Sequence, residues 1–124
     1  MDLKPRVLLV DDEPEIGKIC SLNLKLAGYD PTTTTSGAKA IEFVRTQKFD
    51  IMLLDVMMPN VTGLDVLDKV RTFSQIPIIV FTSNADIFEV AQRAGANDYI
   101  PKPFVPSQLI EKIKAVLGET RGKT

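Results

Sequence analysis

Short apolar runs alternate with stretches of helical period five times along this 124-residue chain. Such alternation is typical of a parallel β-sheet whose strands are joined by crossover helices. We predict strands at 7–10, 29–34, 51–54, 76–81 and 98–100. The first, third and fourth are nearly unbroken apolar runs, which predicts strands buried on both faces.

Five amphipathic helices are expected between and after these strands. Apolar spacing predicts the first around residues 16–27, closed by Gly28, and the others at about 38–46, 64–71, 87–94 and 109–117. The predicted fold class is therefore α/β, with a five-stranded parallel sheet flanked by five helices. The strand order that we adopt is 2-1-3-4-5, one of the common orders of such sheets. We expect one domain over 1–118 and a disordered tail or linker stub at 119–124.

Composition excludes several classes of function. Fifteen Lys and Arg against sixteen Asp and Glu leave a net charge of −1, which argues against binding nucleic acid or a membrane through bulk charge. The longest apolar runs span four residues, too short for a membrane helix, so a cytoplasmic protein is expected. The chain has no histidine, which removes imidazole bases and histidine metal sites. The single cysteine, Cys20, is expected to be a buried structural thiol.

Functional groups stand where four of the five strands end: Asp11 and Asp12, Asp55, Thr82 and Lys102. Ligands of open parallel sheets bind at this edge, and in the order 2-1-3-4-5 the first and third strands are neighbours. The three aspartates should therefore converge. An oxygen-only, highly charged cluster suits Mg²⁺, and an added hydroxyl and lysine make a site for phosphoryl transfer. Taken singly, each residue could be a helix cap or a solvated side chain; their joint placement favours the site.

Four motifs are specific in combination: VDDEP at 10–14, LDVMMP at 54–59 followed by Gly63, FTS at 81–83, and GANDYIPKPF at 95–104. Over residues 6 to about 117 the chain resembles the receiver domain of two-component response regulators. The resemblance implies a flavodoxin-like receiver fold. It also implies a signalling switch rather than an enzyme, one that catalyses only its own phosphorylation and slow autodephosphorylation.

The resemblance also assigns roles to single residues. Asp55 would accept a phosphoryl group from a phosphohistidine of a sensor kinase. Asp12 and Asp55 would bind Mg²⁺ directly, Asp11 through water, and Met57 through its backbone carbonyl. Lys102 would contact the phosphoryl group.

Two further roles complete the implied site. Thr82 and Tyr99 would form the switch pair that reports phosphorylation. The peptide between Lys102 and Pro103 would be cis, which aims the lysine into the pocket. The stretch from Thr82 to Lys102 is about two residues shorter than in similar receivers, so the fourth helix or the loop before it should be trimmed.

The implied partners are a sensor histidine kinase or a histidine phosphotransfer protein in a phosphorelay, and a downstream output protein or domain. We expect no direct nucleic-acid or membrane contact. Some receivers dimerise through charged pairs on the face of the fourth helix, fifth strand and fifth helix. Asp98 and Lys112 retain one of these charged pairs, but Gln108 and Phe88 occupy positions where such receivers usually have charged residues. We therefore expect a monomer or a weak activation-dependent dimer.

Three other interpretations compete with the switch. A Mg²⁺-dependent phosphatase would carry a second aspartate two residues after the nucleophile, where this chain has Met57. A flavin-binding relative would need a hydroxyl- and glycine-rich loop after the first strand, where this chain has Asp11 to Glu13. A receiver-like scaffold that binds proteins without being phosphorylated stays open as the main alternative.

Overall fold

The computed structural model describes residues 3–58 and 61–118, in which five strands and five helices alternate. The strands are β1 (Arg6–Val10), β2 (Asp30–Thr34), β3 (Ile51–Asp55), β4 (Ile78–Thr82) and β5 (Asp98–Pro101). The helices are α1 (Pro14–Leu26), α2 (Gly37–Thr46), α3 (Gly63–Arg71), α4 (Asp86–Arg93) and α5 (Pro106–Leu117). The predicted alternation is confirmed.

The strands form one parallel sheet in the order β2-β1-β3-β4-β5, as predicted. In the register, Val10 of β1 lies level with Leu54 of β3, and Asp55 lies level with Phe81 of β4. Because all strands run in the same direction, their carboxyl ends share one edge of the sheet. The residues that follow β1 and β3 are therefore neighbours in space.

The core consists of two apolar layers, one on each face of the sheet. Alternate residues of the central strands, such as Leu8 and Leu54, pack with α2, α3 and α4. The residues between them, such as Leu9 and Leu53, pack with α1 and α5. Burial on both faces explains why these strands are continuously apolar. Cys20 belongs to the second layer and is buried, as expected. Burial, together with the negative charge of Asp11, raises the pKa of the Cys20 thiol to about 11.

Six strand boundaries differ from the prediction by one or two residues. β1 begins at Arg6, β2 begins at Asp30 and β5 ends at Pro101, each one residue from the predicted position. β4 begins at Ile78 rather than at residue 76, because Pro77 has no N–H to donate and contributes only its carbonyl, which accepts from the Met52 N–H at 2.9 Å. β3 and β4 each extend one residue further, so that Asp55 and Thr82 are themselves strand residues. The apolar pattern stops before them because their side chains are polar.

Helix α4 has eight residues and is the shortest helix in the described part of the chain. None of the helices described here is both long and apolar enough to cross a membrane. The tail predicted at 119–124 lies outside the described residues.

Candidate phosphoryl-transfer site

Three aspartates meet at the carboxyl edge of the sheet. Asp11 and Asp12 follow β1 directly, and Asp55 is the last residue of β3. One carboxylate oxygen from each lies within 4.8 Å of the others. Asp11 and Asp55 are almost fully buried, at 3% and 2% exposure, whereas Asp12 is partly exposed. The structure therefore brings together carboxylates from two distant parts of the sequence.

The ammonium group of Lys102 reaches into this cluster from the segment after β5. Its Nζ lies 3.1 Å from Asp11 Oδ2 and 3.3 Å from Asp55 Oδ2. The Lys102 N–H donates to the Thr82 carbonyl at 2.9 Å, which fixes the lysine backbone against the end of β4. The peptide bond between Lys102 and Pro103 is cis.

The polar side chains at the strand ends share one local geometry. Asp11, Asp55 and Thr82 each accept a hydrogen bond from the backbone N–H two residues further along, at 2.8, 3.1 and 3.2 Å. Such turns are favoured by short oxygen-bearing side chains. Each turn holds one oxygen in place, and in both aspartates it leaves Oδ2 facing Lys102.

Charge in the site is only partly balanced. Burial, followed by the negative charge of Asp11, raises the pKa of Asp55 to about 7, although Lys102 and the Met57 N–H oppose the rise. Burial also raises the pKa of Asp11. Burial alone would lower the pKa of Lys102, but its contacts with Asp11 and Asp55 outweigh burial and raise it. One ammonium group does not compensate the aspartates, so the site favours a further cation.

Gly63, at the start of α3, lets this helix pack directly on the chain beyond β3. A Cβ placed on Gly63 would lie 2.3 Å from the Asp55 carbonyl oxygen and 2.5 Å from the Val56 Cα. The sequence indicates Gly63 only as part of a motif, because its packing role depends on this contact. Thr62 and Asp65 form a capping box at the start of this helix. Thr62 Oγ1 accepts a hydrogen bond from the Asp65 N–H at 3.2 Å, and the Asp65 side chain accepts one from the Thr62 N–H.

The two residues of the expected switch pair have different environments. Thr82 is fully buried, whereas Tyr99 is 46% exposed and lies level with Val80 rather than with Thr82. The ring of Tyr99 stacks on Phe88 of α4, with centroids 3.9 Å apart and an angle of 27°. The structure therefore places Thr82 in the site and Tyr99 on the surface of α4, β5 and α5.

Sequence reasoning missed one contact in the site and one on the surface of α4, β5 and α5. Glu13 Oε1 lies 3.5 Å from Lys102 Nζ, and the signal for it was a third acidic residue directly after Asp12. The stacking of Phe88 on Tyr99 could not be predicted, because the sequence shows only an aromatic residue on an amphipathic helix. Met57 contributes its backbone N–H to Asp55, while its side chain is 57% exposed.

Comparison with known proteins agrees with this site. The family model of the response regulator receiver domain matches residues 7–114. The chain belongs to this family. Among curated relatives it is 36% identical over 115 residues to the transcriptional regulatory protein BaeR of Escherichia coli, and 34% identical over 117 residues to the DNA-binding response regulator MtrA of Mycolicibacterium smegmatis. These matches cover 91% and 93% of this chain but 48% and 51% of the relatives, so the chain spans about half their length.

Solved receiver structures share the fold over nearly the whole chain. The chemotaxis protein CheY4 of Vibrio cholerae matches with a TM-score of 0.86 and 31% identity, covering 92% of this chain and 99% of that one. The receiver domain of the sensor histidine kinase PA1611 of Pseudomonas aeruginosa, described with a magnesium ion coordinated in its active-site cleft, matches with a TM-score of 0.85 and 28% identity, covering 94% and 99%. The protein is thus a receiver domain of two-component signalling.

Proposed function

We propose that Asp55 accepts a phosphoryl group from a phosphohistidine of a sensor kinase or phosphotransfer protein. The observation that carries this proposal is the placement of Asp55. Its carboxylate is buried at the end of β3, 3.3 Å from a lysine ammonium and beside two further carboxylates. Burying several carboxylates beside a single cation lowers the stability of a fold, and phosphoryl transfer uses such a cluster.

In the proposed step, an Asp55 oxygen attacks phosphorus and forms a P–O bond while the P–N bond to the donor imidazole breaks. Lys102 then lies beside the transferred oxygens and offsets part of their charge. The Thr82 hydroxyl, at the end of the adjacent strand, can donate to one of them once it turns from its present bond with the Asn84 N–H.

The donor set fits Mg²⁺, which prefers carboxylate and carbonyl oxygens. Asp11, Asp12 and Asp55 would hold the ion together with the Met57 carbonyl. When bound, Mg²⁺ supplies positive charge that offsets the negative charge of the transferring group.

An apolar groove of about 490 Å³ opens beside Lys102, between α1 and the segment that leads into α5. Ile16, Ile19 and Phe104 line it. We propose that the donor protein docks here, because the groove borders the residue that contacts the phosphoryl group. Transfer from an ATP-dependent kinase also favours a cytoplasmic location.

The output of the switch is proposed to run through α4, β5 and α5. Phosphorylation would draw Thr82 toward the new oxygens, and Tyr99 would leave its stack on Phe88 and turn inward. On this face Lys112 Nζ pairs with Asp98 Oδ1 at 3.0 Å. One half-exposed pair contributes only about 0–1 kcal/mol, so we propose a monomer or weak dimer that signals by binding a protein or an attached output domain. In a longer protein resembling BaeR or MtrA, contacts with DNA would lie outside the receiver part.

Mass spectrometry after treatment with acetyl phosphate and Mg²⁺ tests the proposal. We expect one phosphoryl adduct in the wild type, none in Asp55→Asn and none with excess chelator. The exposed Asp68 of α3 supplies a matched control, Asp68→Asn, which should be phosphorylated normally. A stable adduct in Asp55→Asn would falsify the assignment.

The same experiment separates the switch from its alternatives. A non-phosphorylated scaffold would show no adduct in the wild type. A phosphatase would turn over small phosphate esters repeatedly, which requires an acid or base near the nucleophile. The side chain two residues after Asp55 is the thioether of Met57, which cannot transfer protons. We therefore propose a switch without activity on other substrates.

A further inference from the structure

A groove of about 710 Å³ crosses the free edge of the sheet at β2, with α1 on one side and α2 on the other. β2 is an edge strand because, within the described sheet, it pairs only with β1. Its side chains are half-buried or exposed, and Thr33, the fourth of its five residues, is exposed. Gly17 of α1 lies against Thr33, where a Cβ on the glycine would be 3.6 Å from the Thr33 Cβ. The carboxyl end of β2, at Thr33 and Thr34, thus lines the groove, which continues along the following residues Thr35 and Ser36.

The outer edge of β2 offers backbone groups for pairing. The Asp30 N–H donates to the Pro5 carbonyl and the Thr34 carbonyl accepts from the Asp11 N–H, so the even-numbered residues bond toward β1. In a strand the backbone groups of alternate residues point to opposite sides, which directs those of Thr33 outward. The backbone of Pro31 also points outward, so the N–H that proline lacks is not needed for pairing with β1. The exposed edge therefore presents the N–H and C=O of Thr33 in extended conformation.

Both walls of the groove carry positive charge. Lys18 and Lys25 project from α1 and Lys39 from α2, and all three line the groove. No carboxylate of the described chain lies within 4.0 Å of their ammonium groups, since the ion pairs there involve other lysines and arginines. Asp11, at the inner end, is the one acidic residue among the lining side chains and is already paired with Lys102. Within the described part of the chain, three ammonium groups without a carboxylate partner therefore flank the strand edge.

We propose that this groove binds an extended acidic segment of a partner protein, which adds to β2 as a sixth strand. Main-chain hydrogen bonds to a sheet edge supply affinity in such complexes, and the flanking side chains supply specificity. The lysines would pair with carboxylates on alternate sides of the segment. A nucleic acid is the less suitable polyanion, because its backbone cannot continue a β-ladder and the chain as a whole has a net charge of −1. This inference is independent of phosphorylation at Asp55.

Fluorescence anisotropy on the unphosphorylated chain tests the charge requirement. The probe is a labelled peptide of about seven residues, long enough to cover β2, in which pairs of adjacent glutamates separated by threonine place carboxylates on both faces of the strand. We expect binding to this peptide but not to the same peptide with lysine in place of glutamate. Lys18→Glu combined with Lys39→Glu should weaken binding about tenfold or more. Lys69→Glu combined with Lys114→Glu, which changes the net charge equally on exposed positions of α3 and α5, should leave it unchanged.

A second measurement tests strand pairing. Thr33→Pro removes the outward N–H and should abolish peptide binding, whereas Thr33→Val, which keeps the N–H, should retain it. If Thr33→Pro does not fold, hydrogen exchange of the Thr33 amide in the wild type replaces it; the peptide should slow this exchange. Binding of oligothymidylate as tight as that of the peptide, an unprotected Thr33 amide, or equal affinity in the two lysine double variants would each overturn the proposal.

Discussion

Substituting Asp55 by asparagine should stabilise the metal-free protein at neutral to alkaline pH. The folded chain raises the pKa of Asp55 from 3.8 to about 7 through burial and the charge of Asp11. The gap corresponds to a destabilisation of about 4 kcal/mol once the carboxyl is ionised, since one pKa unit is worth about 1.4 kcal/mol. The asparagine side chain is neutral at every pH and has nearly the same size as aspartate, so it would avoid this cost.

The direction of the pH dependence follows from proton binding. Between about pH 4 and pH 7 the folded chain holds a proton on Asp55 that the unfolded chain has released, so stability from this group falls as pH rises and levels off above about 7. The Asp55→Asn variant should not lose stability over this pH range, because its side chain does not ionise. For a domain of this size about 4 kcal/mol shifts the melting temperature by more than about 10 °C.

Thermal unfolding from about pH 4 to about pH 8 in chelator measures this effect. The wild type should lose stability across the window relative to Asp55→Asn, and Asp68→Asn should follow the wild type. At the alkaline end, Mg²⁺ should raise the melting temperature of the wild type more than that of Asp55→Asn, because binding to the folded state adds stability. Parallel pH profiles for wild type and Asp55→Asn would refute the argument that the buried cluster destabilises the metal-free fold.

Three further outcomes are expected. Met57→Asn should shorten the lifetime of the phosphoryl group in a chelator-quenched decay assay, because a polar side chain can hold the attacking water that the apolar thioether excludes; an unchanged or slower decay counts against this role. Gly63→Ala should lower the free energy of unfolding in urea by about 3 kcal/mol or more, because backbone atoms lie 2.3–2.9 Å from the new Cβ. Gly28→Ala, where φ is +96° but no atom lies near the new Cβ, should lower it by only about 1 kcal/mol, and a loss at Gly63 no larger than that at Gly28 would contradict the packing argument. Light scattering with beryllofluoride, which mimics the phosphoryl group, should show a monomer or weak dimer, and a tight dimer at micromolar concentration would refute the expectation drawn from the single Asp98–Lys112 pair.

Much of the fold could be predicted because its information is local. The apolar runs that become β1, β3 and β4 are recognisable within a few residues, and Gly28 marks the end of the first helix in both the sequence and the structure, where it has a positive φ. Boundaries were less predictable where polar residues continue a strand, as at Asp55 and Thr82, because the hydrogen bonding of the backbone does not depend on apolar side chains.

The sequence by itself determined which functional groups stand at the strand ends and that three of them are carboxylates. Only the tertiary structure decided their chemistry, since Lys102 and Asp11 are 91 positions apart and meet at 3.1 Å through the order and register of the strands. Burial of Asp55, which sets its pKa, likewise depends on layers contributed by the whole chain. The stack of Tyr99 on Phe88 and the lysine-lined groove at β2 arise where separate elements pack together. Periodicity is encoded in neighbouring residues, whereas distances across a sheet are fixed only when all the elements assemble.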